Sequence, residues 1–240
     1  MTRSLPPPNF SDLEGPQRGQ LRRIVRYLAK SGGQATFKEL LDSMKGSKST
    51  LEYRLSSLEQ LGFVERVKRG PVRLKFKTPL CYIFEGKGLG YAYFGLLGKR
   101  GEMREVSETE TAVGLLERQL GTGFERVMVF STAEAIDSWK CRGGLDEGLW
   151  RRIEWRVLSI KEMNSIAEVE EKVRHELTGL LSEYIVIMDC TSGTRPAGIA
   201  YYRLADTYKV PLVYAYEDKQ TLFWLRSKKD LQEELRFLSE

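Results

Sequence analysis

Hydrophobic residues recur along this chain with two periods, and the change from one to the other divides it. Between Leu21 and Leu61 the spacing is helical. Leu21, Ile24, Val25 and Leu28 share one face of a predicted helix that Ser31-Gly32-Gly33 ends. Thr36-Phe37-Lys38-Glu39 has the capping-box form and predicts a short helix carrying Leu40, Leu41 and Met44, broken at Gly46. Ser49-Thr50-Leu51-Glu52 repeats that form and predicts a third helix with Leu51, Leu55, Leu58 and Leu61 inward and Gly62 at its end. The period then drops to two. Phe63–Val67 and Val72–Phe76 read as strands joined by the basic tip Lys68-Arg69-Gly70-Pro71. Residues 1–17 are polar, contain Pro6-Pro7-Pro8 and show no period, so they are expected to form a flexible arm. Three helices followed by a hairpin predict a winged helix-turn-helix domain over residues 18–78.

From residue 79 to 240 strand and helix patterns alternate. Cys81–Glu85 reads as a further strand, and the glycines that follow, Gly86, Gly88 and Gly90, read as a turn between strands. They do not form a dinucleotide loop, because a strand pattern and not a helix comes next. Predicted strands are Tyr91–Leu97, Arg126–Phe130, Trp155–Ile160, Tyr184–Met188, Pro211–Tyr216 and Thr221–Trp224. Helices are expected from Ser107 to about Leu120, over Ala133–Trp139, from Ser165 to about Leu181, and over Pro196–Tyr208. This alternation predicts an α/β domain, a Rossmann-like parallel sheet with helices on both faces, whose ligands bind beyond the carboxyl ends of the strands.

Charge sharpens the division. The chain carries +5 overall. Residues 1–78 hold 16 Lys and Arg against 7 Asp and Glu, whereas residues 79–240 hold 22 against 26. A basic first third predicts double-stranded DNA as partner. Its contacts are expected from Lys48, Ser49, Thr50, Tyr53 and Arg54 on the third helix and from Lys68 and Arg69 on the wing. A winged helix that binds protein, its basic face merely solvated, is the competing reading. No apolar run approaches a membrane span, and the N-terminus lacks the apolar core of a secretory signal. Three cysteines without metal spacing, Cys81, Cys141 and Cys190, fit the reducing cytoplasm and predict neither disulfides nor a metal site. One histidine, His175, leaves little for histidine-based catalysis, and no cofactor is expected.

The candidate chemistry lies in Asp189-Cys190-Thr191-Ser192-Gly193-Thr194-Arg195, between a strand and a helix. Small residues admit a ligand to the backbone, a helix start favours an anion, Thr191, Ser192 and Thr194 supply hydroxyls, and Arg195 suits phosphate. Thr132, at the end of the second strand of this domain, is expected on the same edge. The spacing is not that of a P-loop.

This loop resembles the D-x-T-G-G-T-[KR] loop of CARF domains, the CRISPR-associated Rossmann fold family, with Ser192 in place of the commoner glycine. Element order extends the resemblance over about Tyr91 to Lys228. It implies a homodimer that binds a cyclic oligoadenylate on its two-fold axis, with Gly98, Lys99 and Arg100 matching the family's first-strand loop by position. A CARF domain joined to a winged helix resembles CRISPR-linked transcription regulators, although in the best-known archaeal group the CARF domain comes first. The resemblance also carries an alternative, a ring nuclease that cleaves its bound nucleotide by positioning and positive charge. A third reading is a degenerate domain used for dimerisation alone. The R-x4-6-H motif of HEPN ribonucleases is absent around His175.

Overall fold

The computed structural model describes residues 6–68, 70–101, 104–140, 146–216 and 220–240. Two compact units are seen. One comprises residues 90–180 and 186–227, the other residues 6–89, 181–185 and 228–240.

The smaller unit contains α1 (Gly19–Lys30), α2 (Phe37–Met44) and α3 (Lys48–Gln60), then β2 (Val64–Arg66) and β3 (Val72–Leu74). A short β1 (Gln34–Ala35), not anticipated from the pattern, pairs antiparallel with β3 and gives the order β1-β3-β2. The capping box at Thr36 forms with both of its bonds. The third helix starts two residues earlier than its sequence suggests. Ser47 holds the extended backbone of a cap and its hydroxyl accepts from the Thr50 N–H, so Ser49 is already inside the helix. Gly62 lies at φ +82°, where a side chain would strain the chain's exit from α3.

Part of the segment expected to be a flexible arm is packed. Phe10 and Leu13 are buried in a 3-10 turn, Phe10 meets Phe63 edge-on, and Arg22 donates to the carbonyls of Leu13 and Gly15. Two apolar residues among polar ones are too few to show a period, yet enough to anchor a short segment. The strand expected at Cys81–Glu85 is instead a helix, α4 (Leu80–Ile83). Pro79 precedes it in right-handed helical geometry, and Leu80, Cys81, Tyr82 and Ile83 are all buried, which removes any alternation of faces.

The larger unit is built on a six-stranded sheet of order β6-β5-β4-β7-β8-β9. Its strands are β4 (Tyr91–Leu97), β5 (Phe124–Ser131), β6 (Ile153–Val157), β7 (Ile185–Asp189), β8 (Leu212–Tyr216) and β9 (Thr221–Arg226). The pairs β4–β5, β5–β6 and β7–β8 are parallel, and β9 closes the edge antiparallel to β8. Helices α5 (Glu108–Leu120), α6 (Ala133–Lys140), α7 (Glu147–Arg152), α8 (Ile160–Met163), α9 (Ile166–Glu183) and α10 (Arg195–Tyr208) fill the connections, and α11 (Lys228–Glu234), which follows the last strand, belongs to the smaller unit. Of these, α7, α8 and α11 were not anticipated from the hydrophobic pattern. Successive residues of β4 show why both faces need covering. Tyr93 packs in a cluster with Ala112, Val113 and Leu116 of α5, whereas Phe94 meets Phe130 and Tyr201 of α10.

The order of strands fixes where a ligand can sit. From β4 the chain builds outward through β5 and β6, then returns to place β7 on β4's other side. Connections leaving β4 and β7 diverge there, opening a crevice beyond their carboxyl ends.

Candidate functional site

Two loops meet at that crevice, residues 98–100 after β4 and residues 190–194 after β7. They approach so closely that a Cβ on Gly98 would stand 3.1 Å from both the Gly193 nitrogen and the Ser192 hydroxyl. A side chain at position 98 would therefore push the loops apart.

The first half of the β7 loop is a hydrogen-bonded frame. Asp189 is fully buried and accepts from the Tyr93 hydroxyl, the Thr191 hydroxyl and, at 2.9 Å, the Thr191 N–H. Burial raises the Asp189 carboxyl above its ordinary value, although the bonds from Thr191 and Tyr93 pull the other way. Burial and the neighbouring Asp189 likewise push the Tyr93 phenol well up. Thr191 accepts from the Ala215 N–H at 2.7 Å, which ties the loop to β8. Ser192 is buried, accepts from the Gly98 N–H at 2.7 Å and lies 3.3 Å from a carboxylate oxygen of Glu108. Burial raises the thiol of Cys190 to about 12, so it is not a ready thiolate.

The second half is open. Gly193 is exposed at φ +89°, a conformation suited to glycine. Thr194 caps α10 by accepting from the Ala197 N–H, and its own hydroxyl donates to the Met163 carbonyl. Arg195 is the first residue of α10, exposed, and has no hydrogen bond or ion pair among the described residues.

A cavity of about 200 Å³ lies beside this half. Leu97, Gly98 and Lys99 line it from the end of β4, Thr132 from the end of β5, Glu134 and Ala135 from the start of α6, Ile160 and Met163 from α8 with Asn164 just after it, and Gly193 and Thr194 from the β7 loop. Five residues expected from the sequence thus come together, namely Gly98, Lys99, Thr132, Gly193 and Thr194. Thr191, Ser192, Arg100 and Arg195 do not line it. The α8 side was missed. Its only sequence signal is the capping box Ser159-Ile160-Lys161-Glu162, which forms fully and marks a helix but no chemistry.

The cations of the β4 loop are engaged. Lys99 pairs with Glu134 at the cavity. Arg100 donates through Nε to the Arg104 carbonyl at 2.6 Å, and its guanidinium lies 5.2 Å from the centre of the Trp139 ring. Trp139 in turn donates to the Gly98 carbonyl at 2.9 Å. Thr132 accepts from the Ala135 N–H and starts α6. Among the described residues no group of His, Cys, Asp and Glu side chains could hold a metal ion, and no helix is long and apolar enough to cross a membrane.

In the smaller unit, Lys48, Ser49, Thr50 and Tyr53 lie exposed on the first turns of α3, with Tyr53 75% exposed, while Arg54 is half-buried. The Ser49 and Thr50 hydroxyls share the Ser47 cap, at 3.0 and 2.8 Å. Arg66 on β2 binds Glu52 and Glu59, which fixes the hairpin to α3. Lys68 is exposed on the wing, and Arg69 lies outside the described residues.

A family model described as a helix-turn-helix domain matches residues 22–67. No curated protein matches the sequence. Solved structures with some likeness include Can2 from Sulfobacillus thermosulfidooxidans in complex with cyclic tetra-adenylate, at TM-score 0.40 and 14% identity over 57% of this chain and 35% of that one. Csm6 from Enterococcus italicus, bound to cyclic hexa-2'-fluoro-hexa-dAMP, gives 0.39 and 11% over 63% and 39%. Protein VC1899 from Vibrio cholerae gives 0.40 and 12% over 57% and 34%. The matched part spans little more than a third of each of these proteins. The helix-turn-helix match and the strand order together give the architecture expected from the sequence, an N-terminal helix-turn-helix followed by a Rossmann-like, mostly parallel sheet.

Proposed function

We propose that this protein is a DNA-binding regulator that responds to a cyclic oligoadenylate or a related nucleotide. The observation that carries the reading is the cavity at the strand ends, which gathers Gly98, Lys99, Thr132, Gly193 and Thr194 where the strand order reverses. A nucleotide base fits the apolar wall of Leu97, Ala135, Ile160 and Met163, and Arg195 at the start of α10 offers charge to phosphate. The exposed residues of α3 and the wing supply the second half of the reading, contact with bases and phosphates of duplex DNA.

The sensing reading is favoured over the ring nuclease by the state of Ser192. Its hydroxyl is buried and engaged with the Gly98 N–H and the Glu108 side, and Arg100 is held against Trp139. Both side chains are engaged within the protein, which supports sensing over cleavage.

Such a regulator works as a homodimer, since two half-sites on DNA need two recognition helices. Of the aromatics near the sheet edge, Tyr201 and Tyr208 are buried and Trp224 packs on the core. Tyr214, Tyr216, Phe223 and Leu225 remain exposed on one face of β8 and β9, with Tyr214 opposite Phe223 in register. Ile199 and Tyr202 are exposed on α10. These apolar surfaces supply the interface.

The test is calorimetry with cyclic oligoadenylates of different ring size, followed by DNA binding with and without the tightest one. Binding with a ligand-dependent change in DNA affinity and no cleavage product supports the regulator. Turnover of the nucleotide favours the nuclease, and absence of any binding leaves the dimerisation reading.

A further inference from the structure

The strand that leaves the wing carries a second row of charge. In Val72-Arg73-Leu74-Lys75-Phe76-Lys77 every other residue is basic. Val72, Leu74 and Phe76 are buried in the smaller unit. Arg73 therefore projects from the outer face of β3, and Lys75 and Lys77, in the segment that follows the strand, border the same open cavity, of about 500 Å³. Arg73 and Lys75 have no hydrogen bond or ion pair among the described residues, and the Lys77 ammonium donates only to the Glu183 carbonyl, at 3.1 Å.

Two carboxylates face the same row. Glu65 lies opposite Arg73 in the β2–β3 register, and Glu183 borders the cavity. Neither forms an ion pair with Arg73 or Lys75 among the described residues. Arg73 is exposed, and Lys75 and Lys77 are half-buried beside it. Cations without an ion pair among the described residues that share one open cavity suit an external anion with repeating charge.

We infer that this face is a third DNA contact, a track for the phosphate backbone that begins at the wing tip and runs back along β3 and the segment that follows it, through Arg73, Lys75 and Lys77. It is separate from the first turns of α3 and from Lys68. The inference rests on the DNA reading above and names a surface that reading does not use. Contacts to phosphate are independent of sequence, so no operator need be known.

The experiment measures binding of the full chain to a random-sequence duplex of about 40 base pairs across a range of salt. The variant is Arg73→Ala with Lys75→Ala, whose side chains point away from the core, and its fold is checked by circular dichroism. Loss of two phosphate contacts lowers the slope of log K against log salt by about 1.8, at about 0.9 per contact. Glu65→Gln moves affinity the other way, strengthening binding. Lys68→Ala serves as the control for the wing. Weakening by Lys68→Ala with an unchanged slope in the double variant overturns the track alone. Absence of DNA binding by the unaltered chain overturns the track and the DNA reading together.

Discussion

The loops after β4 and after β7 present the same kind of residue to the same crevice in different states. Each contains glycine and has an arginine within it or directly after it, and each follows a buried parallel strand. After β4, Lys99 is paired with Glu134 and Arg100 lies over Trp139. After β7, the acid and the first two hydroxyls hold the frame, while Gly193 and Arg195 are left exposed. A frame whose polar groups satisfy one another keeps its shape without a ligand, so little ordering remains to oppose binding. On the proposed reading, the β4 loop is the wall of the nucleotide site and the outer part of the β7 loop is its reader.

Gly193→Val is the strongest way to break this comparison. At φ +89°, with Leu96 atoms only 3.3 Å from the new Cβ, a branched side chain strains the backbone. We expect loss of measurable nucleotide binding in calorimetry and a stability cost of about 1–3 kcal/mol. Unchanged binding would remove the loop from the site.

Arg195→Ala tests the reader directly. An unpaired cation has no internal partner to lose, so the melting temperature should hold while nucleotide affinity falls by about 1.5–3 kcal/mol. Lys99→Ala should cost less, because Lys99 must first leave Glu134. If the two titrations come out in the opposite order, the roles of the loops are reversed.

Ser192→Ala probes the frame. Removing the hydroxyl leaves the Gly98 N–H without its acceptor, at a cost of about 1 kcal/mol in chemical denaturation. The loss of nucleotide affinity should be smaller than for Arg195→Ala. A selective loss of nucleotide cleavage with binding intact would instead favour the nuclease.

The smallest effect is in pH. Asp189 is raised above its ordinary value of 3.8 by burial. Between that value and its higher native one, the folded protein keeps a proton that the unfolded chain has released. Stability therefore falls as pH rises through this window. Urea midpoints should show that slope in the natural protein and a flatter one in Asp189→Asn. Identical slopes would mean that the frame tolerates the charge.

Much of this architecture is legible in the sequence because it is local. The caps at Thr36 and Ser107, the apolar face of α1 and the run Tyr91–Leu97 each depend on residues within one element, and each forms as written. The cap at Ser47 shows the limit of that logic. Ser47 and Ser49 are chemically alike, and only the backbone entering α3 selects between them. Leu80–Ile83 shows another, since four buried residues in succession carry no period and their helix is set by what surrounds them.

The sequence by itself determined that a basic helical segment precedes an α/β segment, and that Asp189–Arg195 joins a strand to a helix. Only the tertiary structure decided which of those loop residues are spent and which are offered. Asp189, Thr191 and Ser192 find partners in Tyr93, Ala215, Gly98 and Glu108, residues 24 to 96 positions away along the chain. Hydrogen bonding depends on distance in space, and strand order alone brings those groups within reach.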